Sequence, residues 1–265
     1  MMYLGIRTLN YSAEVAMLDL ETEESRKNGS RKKKGQSTLA LASTLVLALA
    51  LGIGIFFVVP IVVTANVFGF EQQALAFNLT AGIIRIAILL AYLSAIVLSK
   101  EIQRLFQFHG AEHKSVFAFE LSSQLVPQAV LGHSRFHPRC GTSFLLIVMF
   151  VAILAFSLLD AVMIYLLGGL TVVTRLLTHL PFIPVVGGLS YEVIKFSARH
   201  TTTWWGKALI APGLWLQRIT TREPVASQVE VAIVALRCAL GMENPAKYPL
   251  KETVPAQVLE PVQGS

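Results

Sequence analysis

Charge is what this sequence has least of. Only 14% of its 265 residues are Asp, Glu, Lys or Arg, against roughly 25% in an average soluble domain. Together with 54% hydrophobic residues, the shortage excludes a disordered chain and argues against an ordinary soluble enzyme. Acidic residues are scarcer than basic ones, 16 against 22, for a formal charge of +6. That surplus is scattered rather than concentrated on one face, so no nucleic-acid partner is expected and anionic membrane lipids are the better match. Cysteine is limited to Cys140 and Cys238, too far apart in the chain to imply a disulfide framework. Both suit a reducing cytoplasmic face.

What is present is long apolar runs. From Ser37 to Phe70 there is no charge at all, more than the ~20 residues a helix needs to cross a bilayer. A first span is expected from about Ser37 to Pro60. It begins too far from Met1, and is too long, for a cleavable signal peptide. Leu79 to Leu98 carries a single charge at Arg85, and Ser143 to Leu167 a single one at Asp160; both can span. A fourth run, Leu176 to Phe196, contains Pro181, Pro184, Gly187 and Gly188, so its helix is expected to be broken or to start after the prolines.

Lysine and arginine set the orientation. Arg7, Arg26, Lys27, Arg31, Lys32, Lys33 and Lys34 precede the first span, whereas residues 61–84 hold none. Lys100, Arg104, Lys114, Arg135 and Arg139 lie between spans two and three, and the next outer turn has only Arg175. Both termini are therefore expected in the cytoplasm, with the protein in a bacterial inner membrane. The expected fold class is all-α, a polytopic helical membrane protein of about four transmembrane helices with cytoplasmic and interfacial helices besides.

The organisation follows. Residues 1–36 form a cytoplasmic N-terminal segment, with a short interfacial helix over Met1–Met17 and a linker over Glu21–Lys34. Residues 37–200 form the membrane domain, including a His-rich cytoplasmic loop at 100–142. Residues 201–243 supply interfacial and cytoplasmic helices. Trp204 and Trp205 fit an aromatic belt, and Val229, Ile233, Leu236 and Leu240 repeat at helical spacing between Pro224 and Gly241. Residues 244–265, rich in proline, read as a disordered tail.

Chemistry concentrates in the 100–142 loop, where four of the six histidines fall. On a helix, His109 and His113 stand one turn apart on one face and can share a metal ion. The order His109-x-x-Glu112-His113 matches the inverted zincin pattern, in which the glutamate is the catalytic base. Two imidazoles do not hold a metal firmly. His137 and Cys140 are the nearest further ligands, and Glu192 near the end of the fourth span is another. Zinc is the expected cation because imidazole with thiolate suits it. Three ligands would mean a catalytic site and four a structural one, and both remain open.

Arg139, stiffened by Pro138 and next to the start of the third span, is a candidate anion binder. Thr142 or Ser143 is expected as that helix's N-cap. Within the membrane, Arg85 and Asp160 need partners and lie at similar depth, so they are expected to pair. Cys238 reads as core packing, and His179 and His200, without local partners, carry no assigned role.

Four motifs in order, His109-Gly110-Ala111-Glu112-His113-Lys114, His137-Pro138-Arg139-Cys140-Gly141-Thr142-Ser143-Phe144, Ser190-Tyr191-Glu192 and Thr220-Thr221-Arg222-Glu223-Pro224, resemble the YqhQ-like family of bacterial membrane proteins. The resemblance runs from about Asn10 to Leu240, most of the chain. It implies a predicted metal-dependent enzyme, with a metal-associated role for His109, Glu112, His113, His137 and Cys140. It further implies functional roles for Tyr191, Glu192, Arg222 and Glu223. Members of that family usually open on a glycine-rich segment that does not precede Met1 here, so either the start lies upstream or this member is shortened.

Two functions compete. One is a cytoplasmic-facing metal site with Glu112 as catalytic base, hydrolytic, on a substrate the sequence does not specify. The other is a non-catalytic membrane scaffold or assembly factor, binding a protein partner or forming a homo-oligomer, in which a structural metal or polar cluster staples the loop. A transporter, resting on Arg85, Asp160 and a broken fourth span, has the least support.

Overall fold

The computed structural model describes residues 38–200 and 203–244. The expected N-terminal helix, its linker and the tail from residue 245 onward lie outside the described residues. The chain divides into a unit Ser43–Ala239 and a terminal unit made of Met1–Ala42 and Leu240–Ser265; the packing and the sites described below belong to the first. The described residues contain no strand, and the protein is an all-α polytopic membrane protein with four helices long and apolar enough to span: Val46–Phe68, Ala74–Ile96, Gly141–Leu167 and Val172–Ser197. Lipid explains why Leu154, Leu158 and Leu166 are about two-thirds bare. In hydrocarbon they need no cover, only a backbone bonded to itself.

The first rod comprises α1 (Thr38–Ile53), a π-helical segment Gly54–Val58, α2 (Val59–Val63) and a second π segment Thr64–Phe68. It runs past the expected end at Pro60. Pro60 has no N–H to give the carbonyl of Phe56 four residues earlier, and Arg85 Nε of the next helix donates to that carbonyl at 2.8 Å. Then come α3 (Ala74–Ile96) and α4 (Lys100–Glu120), a short α5 (Pro127–Leu131), α6 (Gly141–Leu167), α7 (Val172–Arg199), α8 (Trp204–Thr220) and α9 (Ala226–Ala239).

The rod α6 is central and packs on α3, α7 and α8. At Gly82 the α3 backbone comes so near α6 that a Cβ would run into Ile153. Such small-residue approaches hold helices together in lipid, where packing rather than water exclusion drives association. Phe57, Ile61, Phe77, Ala81, Ala152, Phe156 and Val186 fill this core. A separate core of Ala111, Ala118, Val130, Val229 and Ile233 joins α4, α5 and α9, and so fixes α4 against the C-terminal helix.

Two expectations about the membrane part need correction. The fourth span is not broken: α7 runs unbroken through Pro181 and Pro184. In lipid the loss of single ladder bonds is tolerated, whereas an open break would bare several carbonyls. Nor do Arg85 and Asp160 pair. Asp160, fully buried, accepts from Arg175 Nε and His179 Nε2 at 2.8 Å each and from Asn78 Nδ2 at 2.7 Å. Because α7 is continuous, Arg175 and His179, four apart, face α6 together. Similar depth had suggested Arg85, but Arg85 is turned to the Phe56 carbonyl. His179, which had no assigned role, is part of this network and stacks on Phe156 at 4.2 Å between ring centres.

Candidate metal centre

The site is built on α4. His109 and His113 occupy one face of it, their rings 4.4 Å apart, and each is aimed by a backbone carbonyl from another segment. Nδ1 of His109 donates to Thr220 O at 2.8 Å, and Nδ1 of His113 to Arg135 O at 2.6 Å. A ring whose Nδ1 carries the proton for such a bond presents Nε2 as the ligating nitrogen, the arrangement that orients metal-bound histidines. Nε2 of His109 lies 3.3 Å from Cys140 Sγ. The ligand atoms of His109, His113 and Cys140 all lie within 4.8 Å of one another. Tetrahedral zinc, with bonds of about 2.0–2.3 Å, sets neighbouring ligand atoms roughly 3.3–3.6 Å apart. The donor set of two imidazoles and one thiol therefore fits such a cation in both chemistry and reach.

Cys140 is the N-cap of α6, its Sγ accepting from Thr142 N at 3.4 Å. The cap is thus neither Thr142 nor Ser143, because the helix begins two or three residues earlier than those caps would have it, at Gly141. Burial pushes the Cys140 thiol up, but hydrogen bonds from His109, His113 and Thr142 outweigh it and bring it down to about 5. Burial alone would lower His109; the bonds to Cys140 and Thr220 and the charges of Cys140 and Glu112 instead raise it. The two shifts oppose each other across the His109–Cys140 contact, which holds a proton between ring and thiol that a cation would displace.

His137 is adjacent but differently employed. Its Nδ1 accepts from Arg139 N at 3.2 Å and its Nε2 faces Glu120 Oε2 at 3.4 Å, so neither nitrogen is turned to the trio. Burial lowers its pKa despite Glu120. Arg139 Nη2 pairs with Glu120 Oε1 at 2.8 Å. Glu112 is exposed and lines a cleft of about 280 Å³ together with His109, His113, Glu120, His137 and Cys140.

The remaining candidates lie further out. Glu192 is on Lys195 at 3.5 Å and does not join the trio. Tyr191 lines a neighbouring pocket with Arg139. Arg222 and Glu223 brace the site: Arg222 N donates to Phe106 O at 2.9 Å and its Nη1 to Gln103 Oε1 at 3.0 Å. Glu223 takes Lys114 Nζ at 2.9 Å and Arg135 Nε at 3.2 Å. Arg135 also donates from Nη1 to the carbonyl and hydroxyl of Thr221. The Thr220–Glu223 segment is thus a strap laid over α4, supplying the carbonyl for His109 and steadying the residue that supplies the one for His113.

Sequence reasoning missed Glu120 and Gln217 and gave Arg135 and Thr220, named only as a loop cation and a motif residue, no place at the site. Glu120 stands seven residues beyond His113 on the same helix face, a signal open to inspection. Gln217, fully buried, receives His137 N on Oε1 at 2.8 Å and donates from Nε2 to His137 O and Ser143 Oγ at 2.7 and 2.8 Å. Nothing in the local sequence marks it.

The family described as "Protein of unknown function (DUF1385)" matches residues 1–242. The "Uncharacterized protein YqhQ" of Bacillus subtilis strain 168 is 32% identical over 243 residues, covering 90% of this chain and 73% of that one. No solved structure matches. With a match over nearly its whole length and a relative of this identity, the chain belongs to the DUF1385 family.

Proposed function

We propose that His109, His113 and Cys140 hold a divalent cation, zinc by preference, in a metal-dependent hydrolytic site that faces the cytoplasm. The observation that carries this reading is that two histidines spend their Nδ1 protons on backbone carbonyls and turn their second nitrogens toward one thiol. Three protein ligands leave one position free, the pattern of catalytic rather than structural zinc, and the cleft beside them gives access. When bound, the cation would polarise the substrate and lower the pKa of a water. Glu112, which lines the same cleft, would take that water's proton, while His137 and Arg139 hold Glu120. In hydrolysis that oxygen would bond to the substrate's electrophilic atom as the bond to the leaving group breaks, and the leaving group would take the proton from Glu112. Lys100, Arg104, Lys114, Arg135 and Arg139, all between the second and third spans, favour the cytoplasmic side for that segment.

A second reading has its own support: His109 and Cys140 join α4, the strap and α6, so the same cation could staple a non-catalytic scaffold. Metal analysis of the purified full chain separates the cases. The wild type should carry about one cation per chain, and His109→Ala and His113→Ala should each lose most of it; content unchanged by both substitutions sinks the site. Glu112→Gln should keep both cation and fold. Loss of cation in that variant contradicts the role given to Glu112, and a full biological complement by it favours the scaffold.

A further inference from the structure

Arg139 is the wall shared by two clefts. On one side lies the metal centre. On the other is a larger pocket of about 390 Å³, lined by Arg139, Tyr191, Ile194, Lys195 and Arg199. Three of the five are cations, and no acidic residue is among the described residues lining it. Glu120 and Glu192, the acids paired with Arg139 and Lys195, do not line it.

Both elements place the pocket at the same depth. Arg139 is two residues ahead of the span Gly141–Leu167, and Tyr191, Ile194, Lys195 and Arg199 occupy the last turns of α7, around the end of the span Val172–Ser197. Their spacing of three, one and four residues puts them on one face of α7. Next along the chain, Trp205 stacks on Phe196 with ring centres 5.3 Å apart and Trp204 is largely bare, the aromatic level that marks the headgroup zone. All three cations reach solvent, as helix-end anchors do. These three line a concavity whose other walls are an aliphatic and an aromatic side chain. Guanidinium forks match phosphate oxygens in pairs, and an ammonium and a phenol add single donors. Ile194 and the adjoining lipid suit the apolar part of the same molecule.

The geometry points to this pocket as a binding site for the phosphate of an anionic amphiphile, held at headgroup depth so that its head lies against the His109–His113–Cys140 centre. The inference deepens the proposed function by naming a substrate class, and in that respect rests on it. The phosphate could belong to a lipid headgroup or arrive free, and the two sources are separable by experiment.

Purified full chain in neutral detergent is titrated calorimetrically with short-chain phosphatidylglycerol, short-chain phosphatidylcholine and inorganic phosphate, in wild type, in a Lys195→Gln/Arg199→Gln double variant and in Arg104→Gln. Arg104 is an exposed cation that lines neither cleft. Phosphatidylglycerol should bind the wild type, and the double variant should lose about thirtyfold in affinity, near 1 kcal/mol for each of the two cations, with Arg104→Gln unchanged. Equal affinity for inorganic phosphate, lost in the same variant, keeps the phosphate site and makes the free anion its source. Equal binding of phosphatidylcholine, or a loss shared by Arg104→Gln, or none in the double variant, overturns the site. Metal analysis of the same samples keeps the two readings apart. Cation present with pocket-dependent binding absent removes the pocket alone, and binding present with cation absent removes the catalytic reading alone.

Discussion

Gly110 of α4 lies directly under the carbonyl of Arg222, so close that a Cβ would collide with it. The contact lets the strap lie flat enough for Thr220 to reach His109. Gly110→Ala must lift the strap or bend α4, at a cost of about 1–3 kcal/mol for overpacking. The variant should melt earlier in detergent and lose cation more readily to a chelator than wild type. Unchanged chelator sensitivity would show that the strap does not aim His109.

Glu223 neutralises two cations at once, Lys114 and Arg135, of which Lys114 is only 6% exposed in its side chain. Glu223→Ala leaves that ammonium with the Leu131 carbonyl at 2.9 Å as its remaining acceptor. Since Glu223 is itself 67% exposed, solvent moderates the loss to about 1–2 kcal/mol. Thermal unfolding should show it, and Glu223→Asp should recover part. A variant as stable as wild type would mean that water replaces the carboxylate fully.

Asp160 and Arg175 are both wholly buried. Asp160→Asn strands a guanidinium in the membrane interior and should destabilise by about 3–5 kcal/mol. A double-mutant cycle of Asp160 with Arg175 should show strong coupling, and one with Arg85 almost none. Comparable coupling to Arg85 would restore the pairing that depth alone suggested.

Cys140 titrates at about 5 in the folded chain against an ordinary value of 9.0. Its contribution to stability is therefore complete above the higher value, shrinks as pH falls, and is gone below about 5. His109, raised in the folded state, runs the other way: its contribution is complete below the ordinary imidazole value of about 6.5 and is lost as pH rises through the raised one. In a Cys238→Ser background without cation, the rate at which iodoacetamide modifies Cys140, buried but on the cleft wall, should stay nearly level with falling pH until about 5, and added zinc should protect it. Reactivity that appears only above about pH 8, as for an ordinary thiol, would contradict the thiolate.

Helical periodicity made part of the site readable: His109 and His113 four apart, Glu112 between them, and Cys140 before an apolar run. The apolar runs gave all four spans, with ends shifted by several residues. What stayed hidden depends on the facing of separate helices. Arg175 and His179 carry the same spacing of four as His109 and His113, but an expected break at Pro181 put them in a turn and severed them from α6. Gln217 and Thr220 sit on a helix whose contacts with the 135–143 segment arise only in the folded bundle. His137 looked like a ligand because it precedes Cys140 by three residues. The backbone there turns its ring to Glu120 instead.

Pro60 leaves one rung of its ladder without a donor, and the side chain that mends it belongs to a different rod. The first membrane passage therefore cannot complete its own wiring in isolation. The turn around Pro60 is thereby tied to the second passage through the one guanidinium that reaches the Phe56 carbonyl.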